Sequence, residues 1–573
     1  MLYRLIDENN ANLLEPIKTV FKNRNIHVND IDWYIRPVYF EHSPKLLNNI
    51  EEGADLLLLH IEKGNHIHLQ IDKDLDGFTS AAVLYNYLKN TFPKIKLTWS
   101  NHLPEKKHGI DVDIVPVTTD LLIVPDAGTA EYEIHKQLKQ RNVDVLVIDH
   151  HEATSYSKYA TVINNQLDEY PNKWLSGAGV VYKFIQLLDE KLNISNSQRY
   201  IDLVAFGLIG DAMNLASKET KWLVTKGLNN LKNEFLKEII KENVDEGTKL
   251  TPTIISYKCI PKINAYLRVC SKEELDELFK AFIEHQEITH NPRLRKENKY
   301  ETWARRITRI CNNMYSKQSK LKNKLMEELD SKIVSEKLDK NTFIIIEIEG
   351  DMIMNMSGYV ASFVASKYRK PTLILRKNNQ DQTILNGSMR GYDKQLKNTK
   401  SFLNSLELFD FVEGHPNAAG VQINTDNFKS LNARVNKAFQ NLTLNEAHLV
   451  DLVMPAKILT KKFITDMERY SHVWGKGIEA PILAIEKVEV NLSEASIMGK
   501  NADMLKFDSN EISFVKFNEA EKLIELKNLN KAVVLNVIGR TGINTWNGVN
   551  TAQFIIEAFE IVEIKEENKK FLF

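Results

Sequence analysis

Cysteine is scarce: Cys259, Cys270 and Cys311 are the only three in 573 residues. So few exclude a disulfide framework and a cysteine-rich zinc site. They read as small buried hydrophobes of a reducing compartment. Long apolar runs are missing too. The run Leu56-Leu-Leu-Leu-His-Ile is far too short to cross a bilayer, so no membrane partner is expected. The opening MLYRLIDENNANLL lacks the basic start and apolar core of a signal peptide, and a cytoplasmic protein is the expectation. Nor is there an excess of one charge: 75 Lys and Arg offset 76 Asp and Glu, for a net charge of -1. This excludes a wholly basic protein but not a locally basic groove. Repeats and low-complexity tracts are absent. What is plentiful is apolar residue, 43% of the chain, which excludes global disorder. The length suits about three or four domains.

Short apolar strands alternate with helical patterns. Ile67 to Ile71 is followed by Asp72, Asp74 and Asp76 and then by a helix from Ser80. Leu121 to Val124 ends at Asp126-Ala-Gly, and Val143 to Ile148 ends at Asp149-His150-His151. The apolar stretch Leu203 to Leu208, read as a fourth strand, leads to Asp211. This alternation predicts a parallel sheet with helices on both faces, where ligands gather at the carboxyl ends of strands. From Arg293 to about Lys340 the pattern is one long helix, with apolar Trp303, Ile307, Ile310 and Met314 at helical spacing. Between Arg293 and Lys324 it carries eleven Lys or Arg against two Glu. A solvated helix face is one reading; a surface that meets phosphate is the other. A new α/β unit starts at Thr342, with a strand from Pro371 and a glycine-bounded loop from Gly414 to Gly420. Beyond about Leu449 strands dominate, predicting a small β-barrel or sandwich.

Asp72, Asp74 and Asp76 alternate, so an extended segment would point all three to one side. Such carboxylates repel one another unless a cation neutralises them, and hard oxygen ligands suit Mg²⁺ or Mn²⁺. An EF-hand is excluded, because no helix precedes the loop and Val83 fills its twelfth position. Ligand-capable groups at four strand ends need partners. Two divalent ions about 3.5–4 Å apart, shared by carboxylates and an imidazole, would supply them and would suit phosphoryl displacement.

The series Asp72-Lys-Asp-Leu-Asp-Gly, Asp126-Ala-Gly, Asp149-His-His and Gly210-Asp211 resembles, in order, the motifs of the DHH phosphoesterase superfamily. Gly177-Ala-Gly-Val and Pro261-Lys-Ile-Asn-Ala-Tyr-Leu-Arg resemble further segments of it. Gly387-Ser388-Met-Arg390 and Gly414-His415-Pro-Asn-Ala-Ala-Gly resemble its DHHA1 domain. Trp474-Gly-Lys-Gly-Ile-Glu-Ala-Pro and Gly539-Arg-Thr-Gly-Ile-Asn-Thr-Trp546-Asn-Gly resemble the OB-like domain of the RecJ branch. The resemblance spans nearly the whole chain. It implies a DHH domain over 1–290, a basic connecting helix over 291–340, a DHHA1 domain over 341–447 and an OB-like β-barrel over 448–573.

The same resemblance implies a single-stranded-DNA-specific exonuclease. It would degrade from the 5′ end to mononucleotides with two Mn²⁺ or Mg²⁺ ions, in DNA repair, recombination or replication. Asp74, Asp76, Asp126, His150 and Asp211 would be metal ligands, with Asp126 bridging and Asp76 a second candidate bridge. Asp72 would support the site, His151 would meet the substrate phosphate and Asp149 would orient a histidine. Ser388, Arg390, Gly414 and His415 would hold nucleic-acid phosphates. Arg305, Arg306 and Arg309 would line a channel for a single strand. Trp546 would stack a base or plug the barrel end, and Trp474 is expected in the core. Lys107 and His108 resemble a basic loop near the DNA end. The protein partner would be a single-strand-binding protein or a helicase, and the chain a monomer. Three departures stand out: Gln70 where many members have His, Glu413 where Gly is usual, and Leu267 where Gly is usual. A phosphodiesterase of short or cyclic oligonucleotides, or a catalytically weakened single-strand-binding scaffold, are the competing expectations.

Overall fold

The structure, a computed structural model, describes residues 3–102, 108–167, 169–291, 299–348, 357–378, 381–392, 398–439, 447–499, 504–517, 520–529, 531–546 and 549–565. Lys107 lies outside them. The chain forms two compact units, one of residues 1–312 and 448–573 and the other of residues 313–447.

The first unit opens with β1 (Tyr3–Leu5). Its main sheet is wholly parallel, built from β2 (His66–Ile71), β3 (Lys96–Asn101), β4 (Leu121–Pro125), β5 (Asp144–Asp149) and β6 (Thr161–Asn164) in the order β3-β2-β4-β5-β6. All five residues of β4 are buried, and β2 and β5 are nearly so, as continuous apolar strands sandwiched between helices require. Helix α1 (Leu75–Thr91) follows β2, and α2 (Gly177–Leu192) and α3 (Ile201–Gly210) pack against it. The chain leaves β2 for β3 on one side and returns to β4 on the other. The strand order therefore reverses at β2 and β4, and a crevice opens at their carboxyl ends.

Residues Leu203 to Leu208 belong to α3, not to a strand. A short apolar run is the same on paper for a buried strand and a helix buried all round, and this helix is buried on every side except at its last residue. The long basic helix also starts later than expected. A two-stranded ribbon, β7 (Ile288–His290) and β8 (Tyr300–Thr302), precedes α4 (Trp303–Ser335).

The second unit carries a five-stranded sheet of β9 (Ile344–Glu347), β10 (Thr372–Lys377), β11 (Ile384–Arg390), β12 (Phe409–His415) and β13 (Ala418–Asn424), ordered β12-β13-β11-β10-β9. One face packs Ile344, Ile346 and Ile374 against α5 (Ser357–Tyr368) and the end of α4 through Leu329 and Ile333. The other packs Leu373, Met389 and Val421 against α6 (Thr425–Phe439) through Leu431 and Val435. The expected loop at Gly414 is instead a hairpin: β12 and β13 turn at Pro416-Asn417, with Gly414 at φ +126°.

In the C-terminal segment β14 (His448–Val450) pairs with β1 in parallel. Then β15 (Leu452–Pro455), β16 (Leu483–Asn491), β17 (Ser496–Met498), β18 (Met504–Ser509), β19 (Ile512–Lys516), β20 (Ala532–Trp546) and β21 (Val549–Lys565) form one sheet, ordered β15-β16-β20-β21-β19-β18-β17. The expected barrel is thus a seven-stranded sheet whose ladder does not close among the described residues. Its inner face buries one large apolar cluster, including Leu483, Val488, Leu505, Phe514 and Phe554. Trp474 is 5% exposed and packs on Phe21. The three cysteines are buried and unpaired with one another.

Candidate metal centre and phosphate-binding residues

The acidic run is not extended throughout. Asp74 is the N-cap of α1, accepting a hydrogen bond from Gly77 N at 2.8 Å, and Asp76 sits in the first helical turn. The helix turn, not strand alternation, brings the carboxylates together. Asp76 is then fixed by the start of α2: Ser176 Oγ, Gly177 N and Ala178 N donate to it at 2.8, 2.6 and 3.3 Å. A helix N-terminus is a natural seat for a carboxylate.

Asp126 follows β4 with φ +69°, and its backbone N–H bonds to Ile148 O at 2.8 Å. His150 Nε2 stands 3.2 Å from Asp126, 3.5 Å from Asp211 and 3.9 Å from Asp76. Asp211 caps the C-terminus of α3. Three groups have ligand atoms within 4.8 Å of one another: Asp72, Asp74 and Asp126; Asp76, His150 and Asp211; and Asp126, His150 and His151. The structure brings together every expected ligand.

Two glycines make this density possible. A Cβ on Gly177 would lie 2.3 Å from Asp126 Oδ1, and one on Gly207 would lie 2.4 Å from Asp76 Oδ1. Neither oxygen of Asp126 has a hydrogen-bond partner among the described residues, although both are buried. An unpartnered buried carboxylate amid other carboxylates is costly, and a divalent cation fits it. Without a cation, burial and then Asp76 and Asp74 drive the Asp126 carboxyl well above its usual range. Asp74 reaches solvent at one edge, yet burial by the surrounding protein and then Asp72 and Asp76 raise it to about 6. Asp211 is raised to about 8 by burial, then by Asp76 and Asp74.

Asp149 behaves in the opposite way. Burial pushes its carboxyl up, but the hydrogen bond and charge of His151 outweigh that and hold it well below its usual range. It accepts bonds from Thr129 Oγ1 at 2.7 Å, from His150 N at 2.7 Å and from His151 Nδ1 at 2.8 Å. The His151 ring is lowered by burial yet raised on balance to about 9 by Asp149. His150 is lowered, chiefly by burial, which favours the neutral ring a metal ligand needs.

Sequence reasoning missed His102. It is buried just after β3, with Nδ1 3.4 Å from Asp72 Oδ1. The strand-end rule that singled out Asp72 would have found it, since β3 is the neighbour of β2. His108 Nδ1 bonds to Asp72 Oδ2 at 3.0 Å, and its ring lies 4.5 Å from that of His151. Gln70 does not face the carboxylates: its amide accepts from Asp111 N at 2.7 Å and donates to Asp111 O at 2.8 Å.

In the second unit, Arg390 and His415 flank Ala418 in one row across β11, β13 and β12. Ser388 lies two residues before Arg390 on the same side of β11. Ser388 Oγ meets Ser357 Oγ at 2.8 Å at the start of α5, and Arg390 Nε donates to Ser362 Oγ at 3.1 Å. His415 and Glu413 are exposed. Of the helix arginines, Arg305 is exposed, Arg306 pairs with Glu277 at 3.1 Å and stacks on Trp303, and Arg309 pairs with buried Glu301 at 2.5 Å. Trp546 ends β20, but its side chain lies outside the described residues. Leu267 is buried in the core beside Tyr266.

This parallel sheet with its carboxylate and histidine crevice defines the class. The DHH family N-terminal domain matches residues 66–208, and the RecJ OB domain matches residues 450–558. YorK of Bacillus subtilis strain 168, an SPbeta prophage-derived protein, is 36% identical over 583 residues, covering 100% of both chains. Its name carries single-strand DNA-specific exonuclease as a provisional assignment. RecJ of the same organism, a single-stranded-DNA-specific exonuclease, is 23% identical over 563 residues, covering 94% of this chain and 66% of its own. RecJ of Thermus thermophilus in complex with Mn²⁺ superimposes with a TM-score of 0.73 at 18% identity, covering 96% of this chain and 76% of that one. The chain belongs to the RecJ family of DHH phosphoesterases.

Proposed function

We propose that the protein is a metal-dependent exonuclease of single-stranded DNA that degrades from the 5′ end and releases mononucleotides. The observation that carries the hydrolytic reading is Asp126, whose two buried oxygens lack hydrogen-bond partners among the described residues while further carboxylates and His150 crowd around them. Cations would relieve the burial and mutual repulsion of such carboxylates. Its neighbouring ligand groups, Asp72, Asp74 and Asp126 beside Asp76, His150 and Asp211, favour two ions. Two bound Mn²⁺ or Mg²⁺ ions would supply the positive charge that makes water nucleophilic and neutralises phosphate oxygens.

The chain's own residues do the rest. Asp149 fixes the His151 ring, and its charge keeps that ring protonated at neutral pH, ready to steady a phosphate oxygen. Asp72 orients His108 beside it. In the second unit Arg390, Ser388 and His415 would hold backbone phosphates, and exposed Arg305 would add another contact. The substrate class, the 5′ polarity and a role in repair, recombination or replication rest on the likeness to RecJ.

Digestion of single-stranded DNA labelled at either end, with Mn²⁺ or Mg²⁺, tests the reading. A 5′ label should appear at once as mononucleotide, while a 3′ label stays on shortening strands. Hydrolysis confined to di- or trinucleotides would sink the proposal.

A further inference from the structure

Asp211 sits at the end of a helix, α3, rather than at the end of a strand. The next residues are unusual: Ala212 has φ +54°, and the Asn214 side chain accepts a bond from Ala216 N at 2.8 Å. This turn is covered by a tight turn from the C-terminal segment, Trp474 to Ile478, closed by the Gly475 and Ile478 backbones. Leu215 N donates to Lys476 O at 2.8 Å. Gly477 has φ +82°, and a Cβ there would lie 1.7 Å from Asn214 Oδ1; one on Gly475 would lie 2.5 Å from Leu215 Cδ1. The covering turn is itself anchored from the DHH side. The buried Lys221 ammonium donates to Val473 O at 2.7 Å, and Thr253 Oγ1 donates to Trp474 O at 3.3 Å.

We infer that the Gly475–Gly477 turn is a positioning element for Asp211, so that the C-terminal segment helps to build the metal centre. The two glycines serve close approach: any side chain at 477 must displace Asn214, and Asn214 is three residues from the ligand. Groups that support metal ligands commonly contribute about 10–100-fold in metal affinity.

The inference rests on the metal-centre reading, and the test separates the two. Full-length Gly477→Ala and parent proteins are titrated calorimetrically with Mn²⁺ alone, and their single-stranded DNA binding and melting are measured in EDTA. Mn²⁺ affinity should fall about 10–100-fold while DNA binding stays at the parent's value and melting in EDTA falls only by the strain of a side chain at φ +82°. Adding Asn214→Ala, which removes the atoms that the new methyl strikes, should recover most of the affinity. Unchanged Mn²⁺ affinity, or a loss that Asn214→Ala leaves in place, overturns the positioning role. Gly475→Ala, whose Cβ would lie 2.5 Å from Leu215 Cδ1 and 3.4 Å from Pro252 Cβ, carries the same test if Gly477→Ala does not fold. A parent protein that binds no Mn²⁺ would instead refute the metal-centre reading itself.

Discussion

Asp126, a candidate metal ligand, occupies a position that is costly to the fold. It combines a left-handed backbone, full burial and two oxygens without hydrogen bonds among the described residues. Asn tolerates that backbone and carries no charge. Asp126→Asn should therefore raise metal-free stability, on the order of 1 kcal/mol, while abolishing both nuclease activity and stabilisation by Mn²⁺. Melting in EDTA and in Mn²⁺, beside a digestion assay, checks all three. The neighbouring carboxylates make stability depend on pH. Asp74 at about 6 and Asp211 at about 8 keep protons that an unfolded chain, titrating near 3.8, has released. The folded state then binds more protons than the unfolded one, so metal-free stability declines as pH rises through this window. The Mn²⁺-induced rise in melting temperature should accordingly be larger at about pH 8 than at about pH 5.5; a rise independent of pH would contradict it. Gln70 is a different case. It satisfies both backbone groups of Asp111, so Gln70→Ala should cost about 1–3 kcal/mol in urea unfolding with little change in Mn²⁺ affinity.

At the scale of elements, strand ends were legible and helix boundaries less so. The three strands ending at Asp72, Asp126 and Asp149 announced themselves through apolar runs stopped by acidic residues. Leu203 to Leu208 misled because a helix buried on nearly all sides has no amphipathic signature. The start of the basic helix was obscured because Arg293, Arg295, Lys296 and Lys299 extend the basic run in sequence ahead of Trp303. Its arginines divide by partner, which spacing could not reveal: Arg306 and Arg309 neutralise Glu277 and Glu301, whereas Arg305 is exposed. Arg305→Ala should lower the slope of log affinity against log salt for single-stranded DNA by about 0.7. Arg309→Ala should instead lower stability, since it strands a buried carboxylate. Salt titration of DNA binding and denaturant melts distinguish the two.

For the molecule as a whole, the grouping of the C-terminal segment with the parallel sheet of the first unit was not readable from the sequence. That grouping depends on pairs distant in sequence. Strand β1 pairs with β14, and Arg24 donates to buried Asp451 at 2.7 and 3.0 Å. Arg24→Ala should cost about 3–5 kcal/mol, read by denaturant melting, because the Asp451 charge would remain buried without its cation.

The joining of residue 3 to residue 448 also orders events during synthesis. The second unit, residues 313–447, has all its strands once its own chain has left the ribosome. The first unit must wait with β1 unpaired and the turn after Asp211 uncovered until residues 448–478 arrive. Residues 313–447 therefore have the strands of their sheet before β1 of the first unit can find its partner β14. A chain stalled before residue 448 would hold the candidate metal ligands without the turn that covers the residues after Asp211, so the crevice would be incomplete until that turn has been made.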